Sequence, residues 1–199
     1  MLNKEKLEIL KKFARENHVP ILQDDTMQVI KTILAIRKPN KILEIGTAIG
    51  YSALCFSEYL EGENAIIKSV ELDKVTSEMA KNNIKEISDE NNIMVTNMDA
   101  YEYMKTLNEK FDVVFIDAAK GQYMKYLEQA YRLTQKGSII IADNVLLRGM
   151  VMGGYNEHKH RTAVTRLREY IKEVTENPRL ESTVIDVGDG LAISVIKED

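Results

Sequence analysis

The chain has 199 residues, a net charge of −4, 44% hydrophobic residues and 29% charged ones. That length supports one substantial core and is short for two, and the composition is ordinary for a soluble globular protein. No apolar run approaches the roughly 20 residues of a membrane span, and the acidic total argues against a surface coated throughout in nucleic acid.

A single domain over 1–199 is therefore expected, with residues 1–38 forming an N-terminal helical cap. The start, Met1-Leu-Asn-Lys-Glu-Lys, turns charged at once and lacks the apolar stretch of a secretory leader. The lone cysteine, Cys55, excludes an internal disulfide. Buried packing is its expected role, and a reducing cytoplasm, with no membrane, is the expected setting.

Helices are predicted over 4–17 and 25–37, with Pro20 and Pro39 ending or separating them. Further helices follow over 51–59, 75–87, 100–107, 122–133 and 161–175, the last closed by Pro178. Apolar strands fall between them at 41–45, 66–71, 93–97, 113–116 and 138–142, as expected for a buried parallel set. Strands at 182–187 and 191–196 flank Gly188-Asp189-Gly190, a tight turn, so the last strand should enter antiparallel. The alternation predicts a doubly wound α/β sheet.

Lys41-Ile-Leu-Glu-Ile-Gly-Thr-Ala-Ile-Gly-Tyr-Ser52 is the most informative stretch: a buried strand runs into two glycines and then a helix start at Ser52. Gly46 and Gly50 permit a tight turn with close ligand approach, and helix-start amides suit an anion. The Gly-x-x-x-Gly spacing departs from G-x-G-x-x-G, and no P-loop lysine follows. A ligand carrying a carboxylate, such as S-adenosylmethionine, fits better than a pyrophosphate or triphosphate. The simpler reading is that the glycines only pack a strand tightly on a helix. Two downstream strand ends tip the balance. Glu71 comes 25 residues after Gly46, near the separation at which an acid accepts from ribose hydroxyls. Asp99 closes the next strand, where it could meet the exocyclic amine of adenine. Either acid alone could equally be a helix cap or a turn residue.

The second constellation is Phe111-Asp-Val-Val-Phe-Ile-Asp117 with Ser138-Ile-Ile-Ile-Ala-Asp143-Asn144. Each apolar strand ends in a carboxylate, which should bring Asp117, Asp143 and Asn144 to the carboxyl edge of the sheet, where ligands bind in such folds. Three hard oxygen donors without thiolate or imidazole suit Mg²⁺ or another divalent cation of that type, although either Asp could instead cap the following helix. Lys120, three residues after Asp117, becomes a candidate general base beside such an ion, whereas most loop lysines are only solvated.

With these residues in view, the chain resembles the cation-dependent class I O-methyltransferases related to catechol O-methyltransferase, and within them the bacterial tRNA 5-hydroxyuridine methyltransferase group. The matching words are Leu43 to Ala53, Glu71, Asp99, Phe115 to Tyr123, Asp143 to Leu146 and Val187 to Ala192. The resemblance implies a Rossmann-like methyltransferase fold, with a mostly parallel seven-stranded sheet and an antiparallel last strand. It implies that Glu44 to Gly46, Ser52, Glu71, Asp99, Ala100 and Asp117 line the S-adenosylmethionine site, with Leu22 a weaker match. Asp117, Asp143 and Asn144 match the metal ligands and Lys120 the base. Related enzymes are often dimers, and the N-terminal helices could cover such an interface.

Substrate choice turns on the segment from Arg148 to Arg168. Arg148, Lys159, Arg161, Arg166 and Arg168 stand there against the single acid Glu157, with His158 and His160 among them. A solvated helix face is the plain reading of such a cluster, and a phosphate-contacting surface the sharper one. A catechol enzyme wants an apolar wall over a flat ring, and this chain has no Trp. The reading is therefore Mg²⁺-assisted O-methylation of wobble 5-hydroxyuridine in tRNA, with a small catechol or phenol as the alternative substrate. An NAD-linked oxidoreductase or a noncatalytic nucleotide-binding module would use the same fold, but would leave the oxygen trio and Lys120 unexplained.

Overall fold

The structure, a computed structural model, describes residues 2–89, 91–153 and 161–198. It divides into two compact units, Met1–Tyr103 and Met104–Asp199. Among the described residues, the first unit pairs three strands in the order 93–97, 66–71, 41–45, and the second pairs four in the order 113–116, 139–142, 191–196, 180–185.

The first unit opens with α1 (Lys4–Glu16), which begins where the Asn3 side chain accepts from the Lys6 amide at 3.1 Å. Leu7, Leu10 and Ala14 share one face of this helix and are buried. Helix α2 (Asp24–Arg37) ends at Lys38, whose backbone is left-handed at φ 49° and whose amide returns to Leu34 O at 2.7 Å. Asp24 joins the two helices by pairing with Arg15 at 2.6 Å and Lys11 at 2.8 Å. These hydrogen bonds, Lys11 first and Arg15 next, hold the Asp24 carboxyl below the usual range.

Strand β1 (Lys41–Ile45) is buried over all but its first residue. It pairs in parallel with β2 (Ile66–Glu71), which pairs in parallel with β3 (Ile93–Asn97). Helices α3 (Tyr51–Ser57) and α4 (Lys74–Ile87) form the crossovers between them. Helix α5 spans Ala100–Thr106. Cys55 on α3 is fully buried, as expected, and burial pushes its thiol up to about 11.

In the second unit β4 (Val113–Ile116) and β5 (Ile139–Ala142) are fully buried and parallel, and α6 (Tyr123–Leu133) follows a 3-10 turn at Lys120–Gln122. Helix α7 (Arg161–Glu176) leads into β6 (Leu180–Ile185) and β7 (Leu191–Ile196). Strand β7 runs antiparallel to both β5 and β6, which bears out the expected antiparallel end of a mostly parallel sheet.

Most elements keep the expected bounds to within one residue, and two elements differ by two residues. Helix α3 stops at Ser57, whose hydroxyl donates back to Leu54 O at 2.8 Å, and does not continue to 59. Strand β6 begins and ends two residues earlier than the apolar pattern suggests. Its register with β7 sets Leu180 opposite Ile196 and Ile185 opposite Leu191, leaving residues 186–190 as a loop. That loop has other work: Asp189 O and Gly190 O accept from the amides of Leu146 and Val145, at 3.0 and 2.9 Å. Among the described residues no helix is long and apolar enough to cross a membrane.

Candidate active site

The first unit builds the glycine loop. Beyond β1 the backbone is left-handed at Gly46 (φ 98°), Ala48 (φ 45°) and Gly50 (φ 86°). Gly50 starts α3, and a Cβ there would meet Ile84 at 3.3 Å and Ala80 O at 3.4 Å, so both its torsion and its closeness to α4 favour glycine. Ser52 lies in the first turn of α3, as the sequence implied, half-buried. No side chain caps that helix start.

Glu71, at the end of β2, is braced against the loop. Its Oε2 accepts from the Ala48 amide at 3.0 Å and its Oε1 from the Asp73 amide at 2.9 Å. Each oxygen keeps a further lone pair for a ligand hydroxyl. Beneath the loop runs a buried polar chain in which the Thr47 and Ser69 hydroxyls lie 2.5 Å apart and Ser69 Oγ donates to Glu44 Oε2 at 2.5 Å. Glu44 is thus buried under the loop with its carboxylate on Ser69, and its side chain supports the turn. Thr47 and Ser69 were missed by sequence reasoning. Their signal was the polar pair Glu44 and Ser69, directly opposed in the register of two otherwise apolar strands. Asn83 and Asn97 were missed too; their amides donate to Ile49 O and to Glu71 O and Leu72 O.

Asp99 caps α5, its Oδ1 accepting from the Glu102 amide at 3.1 Å, so the capping reading is realised there. Ala100 begins that helix, half-buried. Leu22 is buried in the link between α1 and α2, on the wall of an open hollow shared with His18, Pro20 and Asp24.

The second unit brings the oxygen donors together. Parallel pairing sets Ile116 opposite Ala142, so Asp117 and Asp143 emerge side by side, and the Asp143 amide donates to Ile116 O at 3.0 Å. Neither carboxylate makes a helix-capping bond among the described residues. Asp143 is only 3% exposed and its Oδ1 accepts from the Asn144 amide at 2.8 Å. Asn144 itself is left-handed, at φ 56°. Burial pushes the Asp143 carboxyl up to about 7, with Asp117 adding to the shift and the Asn144 amide and Lys120 opposing it. Lys120 Nζ lies 2.8 Å from Asp117 Oδ1 and 5.5 Å from the centre of the Tyr123 ring. Tyr123 is fully buried, and its hydroxyl donates to Asp143 O at 2.8 Å. Burial raises its pKa well above the ordinary value, so it remains a donor.

This donor set fits a hard divalent cation. Two adjacent carboxylates, one of them almost fully buried, stand beside one lysine side chain, that of Lys120 at 2.8 Å from Asp117. Among the described residues no group of three or more His, Cys, Asp and Glu side chains is placed to hold a metal ion. An ion here would take two carboxylates, an amide oxygen from Asn144, and oxygens from water or substrate.

The basic segment divides. Arg168 gives its guanidinium to the backbone, Nε to Val151 O at 2.9 Å and a terminal nitrogen to Gly153 O at 2.5 Å. Arg166 pairs with Glu169 at 2.7 Å. Arg148 is 80% exposed, with Asp189 at 4.0 Å, and Arg161 is exposed at the start of α7. Lys159 lies outside the described residues. Of the five expected phosphate contacts, Arg148 and Arg161 are therefore the open ones among the described residues.

Residues 2–197 match the family model described as O-methyltransferase. A catechol O-methyltransferase of Niastella koreensis is 28% identical over 177 residues, covering 84% of this chain and 78% of that protein. Among solved structures, a candidate caffeoyl-CoA O-methyltransferase from Staphylococcus aureus superposes with a TM-score of 0.86 at 32% identity, covering 96% of this chain and 91% of that one. An O-methyltransferase from Bacillus cereus, solved in complex with SAH, gives 0.84 at 25% identity, covering 97% and 91%. The chain thus belongs to the O-methyltransferase family and is an S-adenosylmethionine-dependent O-methyltransferase.

Proposed function

We propose that the enzyme methylates a ring hydroxyl that has a second oxygen on the adjacent carbon, and that its substrate is 5-hydroxyuridine at the wobble position of tRNA. The observation that carries the reaction class is the pairing of Asp117 and Asp143 at adjacent strand ends, with Lys120 2.8 Å from Asp117. When bound, S-adenosylmethionine supplies an electrophilic methyl group, and a divalent cation supplies positive charge that acidifies a neighbouring hydroxyl.

The residues divide the rest. Glu71, already oriented by the Ala48 and Asp73 amides, accepts from the cofactor's ribose hydroxyls. Gly46 and Gly50 let the backbone approach the cofactor closely, and the Asp99 oxygen not used in capping accepts from the adenine amine. Asp117, Asp143 and Asn144 would hold the cation. Lys120 Nζ receives the hydroxyl proton, and Asp117 stabilises the ammonium that forms. Lys120 and Asp117 would thus leave the substrate oxygen deprotonated and ready for the methyl group that S-adenosylmethionine would supply, its sulfonium becoming a neutral thioether.

The tRNA assignment is supported by the exposed Arg148 and Arg161, which flank the segment following Asp143 and Asn144. It also suits the chemistry, since O4 and O5 of 5-hydroxyuridine are adjacent and a loop base is accessible at little cost. A small catechol is the second reading, favoured by the Niastella koreensis relative and by the engagement of Arg166 and Arg168. Parallel turnover assays decide between them: hydroxyuridine-containing tRNA is expected to be methylated with the higher kcat/KM. A clear preference for free catechol would replace the tRNA reading with the second one.

A further inference from the structure

Tyr123 stands where three site residues meet, and packing alone does not account for its oxygen. Its hydroxyl donates to Asp143 O at 2.8 Å and lies 3.4 Å from Ile116 O, the carbonyl just before Asp117. One O–H thus contacts both strand ends that present the carboxylates, the shorter bond falling on Asp143. The ring carries Lys120 Nζ 5.5 Å from its centre. The Tyr170 ring, edge-on at 5.6 Å, and the Tyr126 ring, tilted at 6.4 Å, fix the position of the phenol. Phenylalanine would fill the same space without burying a hydroxyl, which is costly unless it is hydrogen-bonded as the Tyr123 oxygen is.

We infer that Tyr123 is a positioning residue for the cation site: its hydroxyl sets the spacing of Asp117 and Asp143, and its ring seats Lys120. The inference rests on the divalent-cation reading above. Ligand spacings are tolerant to only a few tenths of an ångström, so an Asp143 peptide released to find another donor would hold the ion less well.

The test titrates Mn²⁺ into the full-length wild type, Tyr123→Phe and Tyr170→Phe, with S-adenosylmethionine affinity, Tm and kcat measured on the same samples. Tyr170 is the matched control, because its buried hydroxyl has no hydrogen-bond partner among the described residues. Tyr123→Phe is expected to raise the Mn²⁺ Kd about tenfold, as loss of an outer hydrogen bond typically does. Its S-adenosylmethionine affinity should stay within about twofold, and its activity should recover as Mn²⁺ is raised. Tyr170→Phe should match the wild type throughout. If Tyr123→Phe is only partly folded, the rise in Tm on adding Mn²⁺ gives the same ranking. A purely structural role would lower Tm and leave the Mn²⁺ Kd unchanged, which would overturn the inference. A wild type that binds no Mn²⁺ would overturn it together with the cation reading, whereas wild-type binding with equal affinity in Tyr123→Phe overturns the inference alone.

Discussion

Replacing Glu71 tests the glycine loop where β2 braces it. In Glu71→Ala, the Ala48 and Asp73 amides lose the partners they have at 3.0 and 2.9 Å, and in the proposed binding mode two ribose hydroxyls lose a charged acceptor. Hydrogen bonds to a charged group contribute about 1.5–3 kcal/mol each, and part of the loss is recovered by water in an open loop. A net loss of about 2–3 kcal/mol corresponds to a roughly 30- to 150-fold weaker Kd. Glu71→Gln is expected to do little better, because its amide nitrogen must face one of the two backbone N–H groups. Isothermal titration with S-adenosylmethionine reads the affinity, and thermal melting reads the separate cost of releasing two amides, expected to be a few degrees. Affinity within twofold of wild type in both variants would refute the ribose assignment and the argument that the loop amides orient Glu71.

Gly190→Ala should cost on the order of 3 kcal/mol or leave little folded protein, since φ is +91° and the new carbon would collide with the Leu146 side chain and lie 2.7 Å from Leu146 N. Denaturant melts check this, and a near-neutral variant would contradict the described packing of the 186–190 loop. Asp24 governs an acid limb. Its folded pKa is depressed by Lys11 and Arg15, so its stabilising contribution is present above the ordinary carboxylate pKa and is lost as pH falls through the depressed value. Tm curves of wild type and Asp24→Asn should therefore converge at low pH and separate above about pH 4, by a small amount because the group is exposed. The double change of Arg148 and Arg161 to Ala should weaken tRNA binding and lower the log-log salt slope by about 0.7–0.9 per lost contact, with S-adenosylmethionine affinity unchanged. Arg166→Ala should have little effect, since its charge is already taken up by Glu169; equal losses in both would argue against this division of the segment.

The strand ends were legible because each apolar run stops at a residue with its own chemistry: Gly46, Asp117 and Asp143 each directly follow a strand, and Glu71 ends one, in both sequence and structure. What the sequence concealed depends on contacts between distant segments. The Ser69 hydroxyl serves Glu44 only once β1 and β2 are in register. Tyr123 reads as an ordinary apolar position of an amphipathic helix, and only the folded second unit turns its hydroxyl onto Asp143. Charge counting likewise could not tell that Arg168 is bound to Val151 O and Gly153 O while Arg148 stays open. The early start of β6 went unread because the 186–190 loop is shaped by the amides of Val145 and Leu146, far away in the chain.

The most direct test of the whole account is to incubate the purified enzyme with hydroxyuridine-containing tRNA and methyl-labelled S-adenosylmethionine, with Mg²⁺ or with excess EDTA, and to analyse the digested nucleosides by mass spectrometry. The account predicts labelled 5-methoxyuridine with Mg²⁺, its loss in EDTA and its return on adding Mg²⁺ back. Labelled product that forms equally in EDTA, or no methylation of 5-hydroxyuridine under any of these conditions, would contradict it.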